Sequence, residues 1–477
     1  MRYEYILLSA IFVPIIGAFA LPLLGRFSRN LRNLVALGLV VVSLVNSSLM
    51  LPHILSGSTI TVAKELLLGF NFTFIADSLA VFMALISSLI SAIIIFYSFG
   101  YISHYENQDE YYCMVVLFFG AMMGLVFSAN LILLYVFWEI TAITSWRLIG
   151  FFREKTQVLR ADKAFLVTVF GSVLMLIGFV SIYQQAGSFD MAVIKNYPIS
   201  NIAIALIMAG ILSKSATLPF HTWLPDAGVA PSPVTALLHA AILVKIGVYV
   251  FARLFIATFT LAGFWHTFVP VIAAASAIIS AGAALVETDL KRLIAYSTIS
   301  QIGFIFFGLA VGNEIAVAGG LLYILMHGLA KAGLFLCAGI VEQNTKTKDI
   351  TKLGGLISTM PVTAVSFLFC AFSVMGVPPF GGFFSKYMVF AGGFASGELW
   401  IGLVFLVGAF LTILYLFRVF NLVFLGQAQI VPIKETSRTM VMSVAILALL
   451  SLFSGILIFY PSGFAQAVAA SMPGVLK

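Results

Sequence analysis

Apolar runs of about twenty residues, separated by short polar loops, follow one another from end to end of the chain. A helix rises about 1.5 Å per residue, so each run is long enough to cross a hydrocarbon layer of roughly 30 Å. The runs predict helices over residues 3–24, 32–51, 77–102, 111–128, 131–151, 162–184, 200–223, 234–255, 261–286, 290–311, 314–341, 361–394, 399–425 and 438–460. The expected fold is an all-α integral membrane protein with about 14 transmembrane helices and both termini on one side.

Two of these runs are interrupted. In "LSKSATLPFH" Pro219 removes a backbone donor and pushes Leu218 out of the α region, so helix seven breaks just after Lys214. In "GVPPFGG", Gly376 to Gly382, the same chemistry breaks helix twelve just before Lys386. Breaks at membrane depth are tolerated where freed carbonyls line a wet cavity, and paired breaks in two halves of a chain point to a transport site. Helices seven and twelve are five apart, an odd number, so five-helix repeats would be inverted in the membrane. The expected division is peripheral helices one to three in 1–110, repeat one in 111–258, repeat two in 261–425 and a last helix over 438–460, all in one transmembrane domain. The lysine precedes the proline in one break and follows it in the other, so the repeat rests on spacing and topology. Prolines that only shape packing are the alternative.

Composition agrees with the pattern: 62% of the 477 residues are hydrophobic and 9% are charged. The net charge of +7 follows topology. Alternate loops are basic (Arg26, Arg29 and Arg32; Arg153, Lys155, Arg160 and Lys163; Lys291 and Arg292; Lys346, Lys348 and Lys352; Lys434 and Arg438), whereas the intervening ones hold chiefly Lys64 and Lys195. The positive-inside rule puts the basic loops in the cytoplasm and both termini on the extracytoplasmic side of the cell or inner membrane. The acidic loop "SHYENQDEYY" does not oppose this, because acidic residues contribute little to the rule. Without a clustered basic patch or soluble domain, nucleic acid is not an expected partner. The first run lacks a basic leader and a small-residue cleavage site, and is expected to be a retained span. Cys113, Cys337 and Cys370 lie singly in apolar runs and read as small buried hydrophobes, with no spacing for a metal or redox site.

Charges inside the membrane change the picture. An ionised side chain at a helix centre costs about 2.5–3.5 kcal/mol on insertion scales unless it is paired or hydrated. Glu139, Lys214, Lys245, Lys331 and Lys386 each lie near mid-span of a separate helix. One acid cannot neutralise four bases, so some lysines must be hydrated, bonded to carbonyls or neutral. Burial disfavours the charged form, so such lysines can exchange protons where a surface lysine stays charged. Glu139 near Lys214 favours the charged form, and moving it toward or away would switch the proton on and off. Fixed ion pairs tying helices together are the competing reading.

His327 is four residues before Lys331 and shares its helix face, while His239 is six before Lys245. A neutral histidine can accept a proton at one ring nitrogen and donate from the other. His221, in "HTWLPDA", reads equally as a shuttle or a cap, and His53, His104 and His266 read as interfacial. Ser213, Ser215, Thr217, Ser297, Thr298, Ser300, Gln301 and Tyr323 can hold water between these groups, or simply bond along their own helices.

The stretches "FWEITAITSWRLIGFF", "RADKAFLVTVFG", "SKSATLPFHTWLPDAGVAPSPVTALLHAAILVKIGVYVFAR", "ETDLKRLIAYSTISQIGF", "HGLAKAGLFLCAGIVEQNTKTKDITKLGGL" and "GVPPFGGFFSKY" resemble the antiporter-like subunits of respiratory complex I, Mrp-type sodium/proton antiporters and membrane-bound hydrogenases. Residues 138–178 and "TKDITKLGGL" resemble most the core of the Mrp A-type subunit and its hydrogenase relatives. The resemblance implies fourteen core helices with two inverted five-helix repeats. It implies Glu139 with Lys214 as the coupling ion pair, Lys245 with His239 in the half where protons enter, Lys331 with His327 on the central axis, and Lys386 in the exit half. Asp289, in "ETDLKR", matches a family acidic residue at a helix start, where negative charge suits the amide end.

Two departures follow. The sequence ends soon after helix fourteen, so the lateral and extra C-terminal helices of larger relatives are expected from neighbours. Arg147 stands where relatives carry an apolar or small residue, two turns after Glu139 on one face. It either snorkels to the cytoplasmic interface or competes for Glu139.

The expected function is a proton-translocating, and alternatively sodium-coupled, subunit of a larger redox-driven pump or Mrp-type antiporter. A self-sufficient sodium/proton exchanger and a non-translocating spacer are the alternatives. With no Gly-rich nucleotide loop, iron–sulfur cysteine set or haem motif, no cofactor, metal or active site of its own is expected, and any electron chemistry belongs to redox subunits of a hydrogenase or NADH dehydrogenase type. Expected partners are other membrane subunits, antiporter-like or small Mrp-type, together with protons or sodium, and lipid.

Overall fold

The computed structural model describes residues 3–65, 71–259, 261, 263–397, 399–427, 434, 435 and 437–475. Long helices dominate: α1 (Tyr3–Phe27), α2 (Arg29–Leu55), α3 (Ser78–Tyr101), α4 (Gln108–Phe127), α5 (Leu131–Ile149) and α6 (Lys155–Ala186) precede the first break. Around it lie α7 (Asn201–Lys214), α8 (Trp223–Asp226), α9 (Ser232–Ala236) and α10 (Leu243–Phe255). The remainder comprises α11 (Gly263–Val286), α12 (Leu290–Val311), α13 (Glu314–Thr345), α14 (Pro361–Met375), α15 (Gly381–Ala395), α16 (Leu399–Phe420), α17 (Arg438–Ile456) and α18 (Phe459–Ala470). Among the described residues, twelve helices are long and apolar enough to cross a membrane.

Helix starts follow side-chain chemistry. Asp77, Asn130, Asp289 and Asn313 each accept backbone N–H groups of the helix they precede, which satisfies donors that a first turn leaves free. α6 begins at Lys155, seven residues before its apolar run, because the polar stretch "KTQVLRA" continues the helix beyond it. α10, α12 and α13 are almost wholly buried. By contrast α1, α2, α6 and α16 present Ile16, Leu34, Leu166 and Phe410 outward, the apolar exterior expected where lipid is the solvent.

Both breaks occur where the prolines predict them. α7 stops at Lys214, and Ala216, at φ 52°, turns the chain away. α14 stops at Met375 with left-handed Gly376 (φ 82°) after it, and α15 restarts at Gly381. Gly247 lets α10 lie directly against the first break, since a Cβ there would sit 2.0 Å from Ser215 Oγ and 2.6 Å from the Ile211 carbonyl oxygen.

Three features correct the helix-only reading. An antiparallel hairpin, β1 (Ile60–Glu65) with β2 (Asn71–Ala76), fills the connection before α3 and runs from Ile60 opposite Ala76 to Glu65 opposite Asn71. The helix expected over 234–255 is divided: Leu237–Ala241 form a π turn, which adds a residue to the turn and resets the face on which His239 lies relative to Lys245. The last expected helix ends at Ile456, and α18 follows it separately. At the end of the molecule that holds the hairpin, Tyr3 stacks on His53 and Ser471 bonds Ser78 at 2.7 Å, so both described chain ends lie at one face.

Candidate functional site

Lys214 is the last residue of α7 and is fully buried. Its ammonium donates to the Trp138 carbonyl at 3.2 Å and lies over the Trp138 ring, 5.2 Å from the centroid. The carbonyls freed by its own break are used differently: Ser213 O accepts the Trp223 indole N–H at 2.9 Å, and Leu212 O accepts Thr217 N–H at 2.9 Å. The oxygen that solvates Lys214 thus comes from α5, one residue before Glu139. Among the described residues Glu139 joins no ion pair, and its Oε1 is buried without a hydrogen-bond partner in the protein. Arg147 does not take Glu139. It donates to Glu110 Oε1 at the start of α4, while Arg153 donates to Glu110 Oε2 at 2.7 Å.

The other three lysines converge at the centre. Lys245 of α10 contacts Nδ1 of His327 on α13, and both are fully buried. A nitrogen pair in contact shares one proton, because one partner must donate and the other accept. One turn further along α13, Lys331 donates to Ser297 Oγ at 2.5 Å and to the Ile294 carbonyl at 3.3 Å. Ser297 Oγ bonds the Tyr415 hydroxyl at 2.6 Å. One turn on the other side of His327, Tyr323 donates to Gln301 Oε1 at 2.5 Å, and Gln301 donates to Thr412 Oγ1 at 3.1 Å. Lys386 of α15 lies 5.6 Å from the Tyr323 ring centroid and 4.7 Å from that of Phe304. Its ammonium donates to the Val374 carbonyl at 2.7 Å. That carbonyl belongs to the last turn of α14, so here a break does supply the oxygen that solvates a buried charge.

His239 stands apart from this contact. Both its ring nitrogens lack partners in the protein, and its ring lies 4.5 Å from that of Phe335. His221, in the segment between α7 and α8, is half-buried with Nδ1 unpartnered among the described residues. Asp289 caps α12 as expected, accepting Lys291 N–H at 2.9 Å and Arg292 N–H at 3.1 Å, and it lies 3.6 Å from Lys348 Nζ. Cys113, Cys337 and Cys370 are buried free thiols.

Residues 128–412, more than half of the chain, match the family described as NADH:quinone oxidoreductase/Mrp antiporter, TM. The chain belongs to this family. Residues 66–112 also match the N-terminal region of chain 5 of complex I. The Na(+)/H(+) antiporter subunit A1 of Staphylococcus aureus is 33% identical over 490 residues, covering 94% of this chain and 61% of the relative. Its counterpart in Staphylococcus haemolyticus is 34% identical over 492 residues, with shares of 94% and 61%. The chain therefore spans less than two thirds of the length of these curated relatives. Its fold matches a chain of the Mrp complex from Dietzia sp. DQ12-45-1b with a TM-score of 0.90 at 22% identity, covering 99% of this chain and 98% of that one. It also matches a chain of an archaeal membrane-bound sulfane sulfur reductase with a TM-score of 0.87 at 23% identity, covering 98% and 97%. This member of the NADH:quinone oxidoreductase/Mrp antiporter family is a multi-pass membrane protein.

Set against the pairs that the antiporter family implies, the geometry groups the same residues differently. His327 bonds Lys245 of the neighbouring helix rather than its own helix-mate Lys331, whose partner is Ser297. Tyr415 and Thr412, absent from the sequence reading, complete the hydroxyl set from α16. Their signal is a polar pair three residues apart in an otherwise apolar run.

At the end of the molecule that holds the basic loops, Asp226 accepts Lys163 Nζ at 2.7 Å and Arg292 Nη1 at 2.6 Å, and Arg292 Nε donates to Glu287 at 3.2 Å. Lys291 pairs with Glu342 at 2.6 Å. Burial raises the Asp226 pKa, but bonds and charge from Lys163 and Arg292 outweigh it and hold the carboxyl below its ordinary value. The stability this adds is present above about pH 4 and lost as pH falls further through the lowered pKa. Asp226→Asn is expected to lower stability at neutral pH by about 1–3 kcal/mol and to flatten the acid limb of a thermal-melting series. An unchanged acid limb would show that the contacts carry no such coupling.

Proposed function

We propose that this chain translocates protons as a membrane subunit of a multi-subunit ion-transporting complex, either redox-driven or of the Mrp antiporter type. The observation that carries the reading is the contact between fully buried Lys245 and His327, with Lys331 one turn along α13 on one side and, on the other, Lys386 of α15 beside Tyr323, one turn along α13. Buried ionisable groups that share protons across helices are costly to keep inside an apolar protein, and transport gives them a purpose. In this reading α7 with its following break and α14 with α15 complete fourteen crossings, residues 111–258 and 261–425 form two inverted repeats, and the termini face the extracytoplasmic side. Protons reach Lys245 and His327, pass along the Tyr323, Gln301 and Ser297 hydroxyl and amide groups, and leave past Lys386. Glu139 is the switch: among the described residues it joins no ion pair while Lys214 rests on the Trp138 carbonyl, and its approach would stabilise a charged Lys214. Redox subunits, or small Mrp-type subunits, supply the driving force, and sodium is moved by exchange within the complex.

The test compares the intact complex with the purified chain alone in lipid vesicles, recording a pH-sensitive dye on energisation and on sodium addition. Transport by the complex and silence from the isolated chain are expected. Sodium-driven proton movement by the chain alone would replace this reading with that of a self-sufficient exchanger, and an intact complex that moves no protons would end it.

A further inference from the structure

At the face where the two chain ends meet, a cavity of about 520 Å³ opens among the β-hairpin, the start of α3 and the end of α10. Its rim carries exposed Thr59 and Lys195, and its wall includes Asp77, Asp190 and Arg253. From Arg253 a polar line runs inward along one side of α10, because Arg253, Tyr249 and Lys245 are spaced four residues apart. Arg253 holds Asp77 bidentately, Nη1 to Oδ2 at 2.5 Å and Nη2 to Oδ1 at 2.8 Å. It also donates to the Tyr249 hydroxyl at 2.8 and 3.0 Å, and that hydroxyl donates to the Val126 carbonyl. Tyr249 is fully buried and Arg253 is 5% exposed.

A guanidinium does not give up its proton at any ordinary pH, so Arg253 is no relay. Asp77 balances its charge, and the donors of Arg253 are directed at Asp77 and Tyr249, so what closes this line is a pair already saturated with bonds. The Tyr249 hydroxyl, already committed to Val126, adds no free donor toward the cavity. We infer that Asp77, Arg253 and Tyr249 form a closed, hydrogen-bonded stopper between the Lys245 to His327 pair and the cavity, and that the cavity is the aqueous mouth on that face. The inference rests on the proton-translocation reading above, and it assigns to Arg253 a blocking role beyond joining α3 to α10.

The test uses the intact complex in vesicles. Asp77→Asn with Arg253→Gln removes both charges together, so neither is left buried and unpaired, and asparagine keeps the cap on Ala80 N–H. Passive proton leak under an imposed potential is expected to rise at least about tenfold and to return to the wild-type level when Lys245→Met is added. In parallel, Tyr249→Cys is expected to resist a small membrane-impermeant thiol reagent while Arg253 is present, and to react from the cavity face once the pair is neutralised. Should the neutral pair fail to assemble, Arg253→Lys, which keeps the charge but loses the two-pronged grip, replaces it, with a smaller rise in leak and in labelling expected. Wild-type leak and labelling in an assembled variant overturn the stopper, and so does a leak that Lys245→Met leaves untouched. Failure of the translocation reading is separate: it shows as normal driven transport in Lys245→Met alone.

Discussion

Lys245→Met in the intact complex is expected to lower energised proton transport by about two orders of magnitude or more, the range that a positioned proton-transfer group supplies. Methionine preserves length and apolar volume in a helix that is buried on all sides, so the packing survives while the shared proton is lost. His327 then faces an apolar side chain with Nδ1 unpaired, and Lys331, held by Ser297 and the Ile294 carbonyl, cannot replace Lys245 without breaking those bonds. His327→Gln, which retains a donor and an acceptor, is expected to recover part of the rate. Initial rates of dye quenching in vesicles decide the matter. If Lys245→Met transports at the wild-type rate, the central contact is a structural tie between α10 and α13 and the proposed route is wrong.

The second large effect concerns Glu139. Glu139→Gln is expected to cost roughly ten- to a hundredfold in transport, with little loss of thermal stability, because among the described residues Glu139 holds no ion pair. A residue that only fastened helices together would show the opposite pattern. Arg147→Gln is the companion variant: Arg147 is bonded to Glu110, so its removal is expected to act on the α4 to α5 contact and leave transport nearly intact. Equal transport losses in the two variants would mean that Arg147 reaches Glu139 during turnover, and the simple Glu139 and Lys214 switch would have to be abandoned.

The charged members of the site were legible in the sequence because their cost inside an apolar helix sets them apart without any knowledge of the fold. Glu139, Lys214, Lys245, Lys331 and Lys386 stand out on that ground, and proline chemistry placed both helix breaks correctly. Partnerships were not legible. Helical spacing ties His327 to Lys331, yet the bond that forms joins His327 to Lys245, 82 residues away in the chain. No local rule reaches across helices, and the π turn at His239 resets the one face that spacing does predict. Main-chain oxygens were equally hidden. Trp138, Ile294 and Val374 carbonyls solvate three of the lysines, and any residue type offers the same group. The β-hairpin escaped for a different reason: alternation in "ITVAKE" and "NFTFIA" is short and lies between longer apolar runs that dominate the pattern.

On the proposed translocation reading, the central lysines also impose arithmetic on traffic. Among the described residues no carboxylate contacts Lys245, Lys331 or Lys386; carbonyls, a hydroxyl, a histidine and aromatic rings hold them instead. Without a resident counter-charge, each added proton raises the cost of the next, since like charges in a low dielectric repel strongly. Loading is therefore anticooperative: a first proton on the row raises the cost of a second until the first has moved on. A row that carries protons as proposed acts as a turnstile, with mutual exclusion among its groups limiting the number of ions passed per cycle.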